Sequence, residues 1–136
     1  MANYKQLFVD YMNSHNIIYT EVNDHVVRVS YTGDNMKSIP VFVFFDENGD
    51  NIVQLFCMEI ANFKDNMAAG LVACNELNTK YRWVKFYLGS DNEIICTIDA
   101  YLDQYSCGEE CRNLVGRVVS IVDEAYPTFM RALWSK

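Results

Sequence analysis

The segment IPVFVFF, residues 39–45, most constrains the fold of this chain. In an extended strand Phe42 and Phe44 point to one face, and the alternating positions are apolar as well. A strand that is apolar on both faces belongs in the interior of a sheet. The next residues, DENGD, carry an Asn-Gly pair, which is typical of a hairpin turn. The sequence therefore predicts an inner strand that turns back into a return strand at residues 52–60.

Apolar periodicity on either side of this hairpin predicts three helices and several further strands. Helical repeats fall at residues 3–14, 62–78 and from residue 106 onward. Alternation with period two indicates strands at residues 17–22, 25–31, 82–88 and 93–100. Because hairpins join most of the strands, we expect an α+β fold. It would consist of a mainly antiparallel, twisted sheet of five to six strands with three helices on one face.

Several residues give specific expectations about the helices. Asn62 suits the N-cap of the second helix, and Asn78 suits the left-handed conformation that closes a helix. Ser106 and Glu109 form a capping-box pattern at the start of the third helix. Pro127 predicts a kink or a break in that helix. The second helix is expected to bury an apolar stripe that includes Phe63, Met67, Leu71 and Cys74.

The acidic composition argues against several classes of function. The 136 residues fit a single domain, 1–136, with a net charge of −7 and only 11 scattered basic residues. Nucleic-acid binding needs clustered Lys and Arg, so we expect no nucleic-acid partner. No run approaches the ~18 apolar residues of a membrane span, and the N-terminal segment lacks the features of a signal peptide. Five cysteines, mostly in apolar runs, fit a reducing compartment, so we expect a cytoplasmic protein without membrane attachment.

The residue types that carry chemistry do not form a recognisable reaction centre. Cys107 and Cys111 share one face at a helix start, but a zinc site needs four ligands and the other cysteines lie apart. We expect Cys111 in the core and Cys107 as a thiol near solvent. Asp46 begins a run that resembles a calcium loop, but its sixth position is Asn instead of Gly. His15 and His25 have no recognisable nucleophile partner. We therefore predict no catalytic residue, cofactor or metal, and a protein that is not an enzyme.

The sheet itself carries the most informative candidate site. Strand 82–88 alternates, so that Trp83 and Tyr87 lie opposite a fully apolar face. Three helices suffice to cover one face of the sheet, and the second face would then expose aromatic and aliphatic side chains, a pattern found at interfaces. The alternative is that the helices straddle the sheet and bury both faces. We favour an interface with a partner or a second copy, formed by Phe42, Phe44, Trp83, Tyr87 and Ile95.

Two other functions remain open from the sequence. One is a small-molecule sensor with an apolar pocket between sheet and helices, in which Asn75 and Tyr101 would be polar contacts. The other is a redox sensor that uses the Cys107 thiol.

The run NELNTKYRWVKFYLGSDNEI resembles the YbjN-like family of bacterial domains, which are described loosely as sensory transduction regulators. The similarity lies in a helix that ends in Leu77-Asn78, in a strand with aromatic and basic residues, and in the hairpin at residues 90–94. The segments VFVFFDENGDNIVQL and AYPTFMRALW are also similar, so the resemblance spans residues 4–134.

The resemblance implies a fold like that of type III secretion chaperones. Those proteins are small, acidic and usually dimeric, and they hold extended segments of partner proteins. The family has no catalytic residues to transfer to this chain. We therefore expect a non-enzymatic, chaperone-like or regulatory domain that forms a homodimer. It would bind a protein partner of unknown identity through its apolar sheet face and terminal helix.

Overall fold

The computed structural model of the chain describes residues 2–134. Within that range the chain forms three helices and six strands. In chain order they are α1 (Tyr4–Ser14), β1 (Thr20–Glu21), β2 (Val26–Tyr31), β3 (Ile39–Phe45), β4 (Ile52–Cys57), α2 (Met67–Lys80), β5 (Lys85–Leu88), β6 (Ile94–Tyr101) and α3 (Cys107–Trp134).

The strands form one sheet in the order β1-β2-β3-β4-β6-β5, and each neighbouring pair is antiparallel. The three helices pack on one side, because α3 contacts β3, β4 and β6 while α1 and α2 both flank α3. The α+β class, the three helices and the antiparallel sheet are therefore confirmed. The core lies between the two layers and is filled by alternate strand residues such as Val41, Val43 and Leu55.

The central hairpin follows its turn chemistry. Gly49 has φ of 83°, a conformation that glycine adopts without strain. The Asp46 carboxylate accepts hydrogen bonds from the backbone N–H of Asn48 at 3.0 Å and of Asp50 at 3.1 Å. The acidic run DENGD is therefore a connection between β3 and β4, and its first carboxylate is used to hold the turn.

Some predicted strand ends differ from the structure. β1 has two residues where six were predicted, β4 ends at Cys57, and β5 begins at Lys85 instead of residue 82. The segment before Lys85 leaves the strand direction because it is the connection from α2. Alternation by itself cannot distinguish such a connection from the first residues of a strand.

The predicted start of α2 is wrong, and its predicted apolar stripe is confirmed at Phe63 and Cys74 but wrong at Met67 and Leu71. Asn66, not Asn62, caps the helix by accepting a hydrogen bond from the N–H of Ala69 at 3.2 Å. The inward side consists of small residues and one leucine, namely Gly70, Ala73, Cys74 and Leu77, while Met67 and Leu71 are exposed. Gly70 explains why Met67 and Leu71 do not face inward, since a Cβ at Gly70 would lie 2.9 Å from the Phe63 ring. The helix approaches the core too closely for large side chains on that side.

Asn78 does not close α2. The helix continues to Lys80 and ends at Tyr81, which is extended with φ of −103° and ψ of 135°. The Asn78 side chain instead bonds to the backbone of β5, donating to the Phe86 carbonyl at 2.9 Å and accepting from the Phe86 N–H at 2.8 Å. The Asn78 side chain thus binds the Phe86 N–H and carbonyl on the edge of β5 that faces away from β6.

The start of α3 uses a different glutamate from the one predicted. Glu110, not Glu109, accepts hydrogen bonds from the Ser106 hydroxyl at 2.9 Å and from the Asp103 N–H at 3.0 Å. The helix begins at Cys107, so the side chain that reaches back to Ser106 is one position later than in the predicted box.

Pro127 does not break α3, which is continuous from Cys107 to Trp134. Proline has no N–H, so the carbonyl of Asp123, four residues earlier, loses its helical donor. The Asn35 side chain donates to that carbonyl at 3.1 Å. The Asp123 carboxylate also accepts hydrogen bonds from the N–H groups of Asp34, Asn35 and Met36 at 3.1, 2.8 and 2.9 Å. The β2–β3 loop is thereby held on the helix at the proline site.

Candidate protein-binding surface

The side of the sheet opposite the helices carries a cluster of apolar side chains, which we call the open face. Strand register places Phe42 beside Phe56, and Tyr87 beside Ile95. The helices cover the other side, so no element of residues 2–134 packs over these side chains. The open face is defined here by Phe42, Phe44, Phe56, Tyr87 and Ile95.

The open face is ordered by contacts among its own side chains. The rings of Phe44 and Phe56 meet edge to face, with centroids 5.3 Å apart. Most of these residues are half-buried, whereas Ile95 is buried beneath its neighbours. The buried Thr97 donates its hydroxyl to the Leu55 carbonyl at 2.8 Å. The face is thus a packed, semi-apolar platform already arranged in the free chain, which lowers the entropy cost of binding.

Charged side chains lie at the two ends of one row across this face. Register gives the row Arg28, Phe42, Phe56, Thr97 and Lys85. Both terminal residues are exposed cations, and the Lys85 Nζ lies 5.5 Å from the centre of the Tyr87 ring. Asp99 on β6 is the exposed anion nearest the row. Arg28, Lys85 and Asp99 therefore place charges of both signs beside the open face, on a chain whose net charge is −7.

Trp83 lies apart from the other four residues predicted for the interface. It precedes β5, it is 58% exposed, and the Arg117 guanidinium carbon lies 4.6 Å from its ring centre. Because Arg117 belongs to α3, Trp83 lies beside the helical layer. Phe42, Phe44, Tyr87 and Ile95 are brought together on the open face, as alternation predicts.

Phe56 is the residue of this surface that sequence reasoning missed. Alternation within NIVQLFC places Phe56 and Gln54 opposite the buried Val53, Leu55 and Cys57. The register of a hairpin follows from its turn, so the Asn-Gly turn at residues 48–49 carries the signal that sets Phe56 beside Phe42.

The cysteines are core residues. Cys107 is buried rather than near solvent, and its thiol lies 3.5 Å from the Tyr4 carbonyl. The hydrogen bond with Cys111 lowers the pKa of Cys107 and raises that of Cys111. Burial raises the pKa of Cys57 to about 12 and of Cys74 to about 11. Burial of Cys107 removes the accessibility that a redox sensor requires.

The pocket residues expected for a small-molecule sensor do not meet. Asn75 lies on the exposed side of α2, in the helical layer. Tyr101 follows Asp99 in the alternation of β6, pairs with Ile52 and is exposed on the opposite side of the sheet. In residues 2–134 these two polar groups therefore do not line one cavity.

The helices of the described chain are also informative about membranes. Over residues 2–134, none combines the length and the apolar character needed to cross a bilayer.

Comparison with known proteins places the chain in a family. The YbjN family model, described as "Putative bacterial sensory transduction regulator", matches residues 10–131. The chain belongs to the YbjN family. Among solved structures it is similar to YbjN from E. coli, described as "a putative transcription regulator". The TM-score is 0.64 at 10% identity, over 92% of this chain and 94% of the other. That likeness extends the YbjN fold to this sequence.

The chain is also similar to a second solved structure, that of the Yersinia pestis type III secretion chaperone SycH in complex with a stable fragment of YscM2. Its TM-score is 0.49 at 11% identity, over 88% of this chain and 99% of the other. None of the curated proteins matches the sequence.

Proposed function

We propose that this YbjN-family chain is a non-enzymatic, cytoplasmic bacterial domain with a chaperone-like or regulatory role. It would act as a homodimer and bind another protein through the open face. The observation that carries the proposal is the one-sided architecture of residues 2–134, with six strands, the helices on one side of the sheet, and Phe42, Phe44 and Phe56 on the other. The family description as a regulator supports a binding role over a catalytic one.

Binding would remove the half-buried rings of the open face from water. Complete burial of a fully exposed side chain of this size is worth about 1.5–3 kcal/mol, so each half-buried ring would contribute a part of that and several anchors together would support a specific complex. Arg28 and Lys85, at the ends of the central row, favour an apolar partner segment flanked by carboxylates. The terminal helix α3 lies on the other side of the sheet, so its exposed Trp134 and the Trp83 ring over Arg117 would lie outside this contact surface.

The test is comparative affinity capture from the native host, with quantification by mass spectrometry. The variant is Phe42→Thr/Phe44→Thr, which keeps residues suited to strands but removes two rings. The control is Ile18→Thr, a similar loss of apolar surface at an exposed residue outside the open face. We expect specific partners to fall about tenfold or more with the double variant and to stay unchanged with the control. Equal capture by wild type and double variant, both folded by circular dichroism, would contradict the proposal.

A further inference from the structure

An exposed tryptophan and several cations lie together where α2 leads into β5. Trp83 is 58% exposed in the connection between these elements, and the Arg117 guanidinium carbon on α3 lies 4.6 Å from its ring centre. Arg82 precedes the ring in the chain and is exposed, and Lys80 ends α2 with its side chain 60% exposed. We call Lys80, Arg82, Trp83 and Arg117 the basic patch.

The chain concentrates positive charge in the two segments that meet at this patch. Residues 77–90 and 111–122 contain five of the 11 basic residues and no Asp or Glu. The rest of the chain contains the other six basic residues and all 18 acidic ones. Because the Trp83 ring contacts Arg117, the two segments without acidic residues adjoin in space. A molecule with a net charge of −7 thus has a locally positive region beside its helical layer.

Several acidic residues that border these segments are engaged away from the patch. The Asp123 carboxylate binds the backbone of the β2–β3 loop, and the Glu110 carboxylate binds the Ser106 hydroxyl. Asp91 lies in the turn after β5, at the opposite end of that strand from Trp83. Over residues 2–134, none of these three carboxylates forms an ion pair with the basic patch.

Lys80 is the member of the patch that has an anionic partner in the chain. The Glu124 carboxylate lies 3.3 Å from the Lys80 ammonium and accepts a hydrogen bond from the Tyr81 hydroxyl at 2.7 Å. That hydrogen bond and the ammonium lower the pKa of Glu124. Arg82 and Arg117 form no ion pair within residues 2–134. Their two guanidinium groups therefore keep their charges available for a partner.

Charge complementarity indicates the chemistry of that partner. Arginine pairs with carboxylates through two parallel hydrogen bonds, and Trp and Arg are the residue types most enriched in binding hot spots. A membrane or a nucleic acid presents negative charge over a wide area, and the acidic remainder of this chain would repel it. A short acidic segment of a protein would contact the patch alone.

We propose that the basic patch binds an acidic peptide segment of a partner protein. Carboxylates of the segment pair with Arg82 and Arg117, and one apolar side chain covers the exposed part of the Trp83 ring. This inference does not rest on the open face, which lies on the other side of the sheet. Either surface can therefore be tested, and can fail, without the other.

The first experiment measures binding of a fluorescein-labelled, glutamate-rich peptide with a central leucine, by fluorescence anisotropy. We expect the purified full chain to bind it at about 50 mM salt and to bind at least about tenfold more weakly at about 300 mM, because salt screens exposed charges. The same peptide with glutamine in place of glutamate should also bind at least about tenfold more weakly. Absence of binding to the glutamate-rich peptide at about 1 mM protein and low salt would overturn the inference.

The second experiment compares two pairs of charge reversals that change the net charge equally. Arg82→Glu/Arg117→Glu should weaken peptide binding about 30-fold or more, whereas Lys37→Glu/Lys64→Glu, at exposed residues outside the patch, should change it less than about threefold. Thermal unfolding verifies that both variants fold, and Arg82→Gln/Arg117→Gln is the milder replacement. Equal weakening by the two reversal pairs would show that net charge alone attracts the peptide, which contradicts a site at the patch.

The third experiment tests the Trp83 contact and the class of partner. Trp134→Phe leaves Trp83 as the one tryptophan, and we expect the peptide to change its fluorescence emission. Vesicles that contain phosphatidylglycerol and a single-stranded DNA of mixed sequence should bind at least about tenfold more weakly than the peptide. Unchanged Trp83 emission at saturating peptide, or tighter binding of the vesicles or the DNA, would refute the proposed partner. The capture test of the open face stands in either case.

Discussion

Asp123 makes more contacts outside its own helix than its partly exposed position suggests. Its carboxylate accepts three backbone N–H groups of the β2–β3 loop, and these hydrogen bonds, led by that from Met36, lower its pKa. Gly33 in the same loop approaches so closely that a Cβ there would collide with the carboxylate. One side chain thus determines the conformation of the loop.

We predict that Asp123→Asn lowers the free energy of unfolding by about 2 kcal/mol at neutral pH, since an amide presents one acceptor oxygen where the carboxylate presents two. The folded-state pKa lies below the unfolded one, so the stabilisation is present above the unfolded pKa and is lost as pH falls through the folded pKa. Urea titrations of both proteins between about pH 7 and pH 3 would measure this. A stability difference that stayed constant down to the lowest pH would contradict the role of the charge.

At the scale of elements, α3 tolerates Pro127 because the β2–β3 loop supplies the missing donor. We predict that Asn35→Ala costs about 1 kcal/mol by leaving the Asp123 carbonyl without its donor. Pro127→Ala restores a helical N–H to that carbonyl, so the double variant should lose less stability than the two single changes added together. The double-mutant cycle is measured by chemical denaturation, and strict additivity would refute the coupling.

The contact between α2 and β5 gives a second prediction. Asn78→Ala removes both hydrogen bonds to Phe86 and is expected to cost about 2 kcal/mol. It also frees the edge of β5, so the variant should aggregate faster on heating. Asn75→Ala is the matched control, because Asn75 is exposed on the same helix and should change stability by less than about 0.5 kcal/mol. Equal unfolding midpoints for the two variants would count against the edge contact.

Sequence patterns predicted those elements in which local chemistry and burial agree. The strand Ile39–Phe45 was predicted residue for residue, because it is apolar on both faces and is followed by an Asn-Gly turn. The predicted stripe of α2 was wrong at Met67 and Leu71 because the helix packs closely through Gly70 and Ala73, a preference that depends on Phe63 beneath it. Both side-chain hydrogen bonds of Asn78 are to Phe86 in another element, and no helix pattern contains that information.

At the scale of the whole molecule, the layers determine what the candidate site can be. Four of the five predicted interface residues share the open face because two-residue alternation and antiparallel register propagate across β3, β6 and β5. Trp83 was grouped with them only because the predicted strand began three residues too early, and it lies instead against Arg117. The register of the β3–β4 hairpin places Phe56 beside Phe42, so it would have added Phe56 to the predicted interface residues. The exposed apolar side chains of α2 were not predicted, because the predicted helix phase placed Leu71 on the inward side.

The hydrogen bonds of Asn78 to Phe86 have a consequence for assembly. A sheet can grow without limit only if each added unit presents a free edge at both ends. Here the β5 end is already occupied by a side chain, and the opposite end is β1, two residues long. A strand from another chain that joined at β1 would leave no matching acceptor edge behind it. Continued assembly by strand addition is therefore disfavoured at both ends of this sheet.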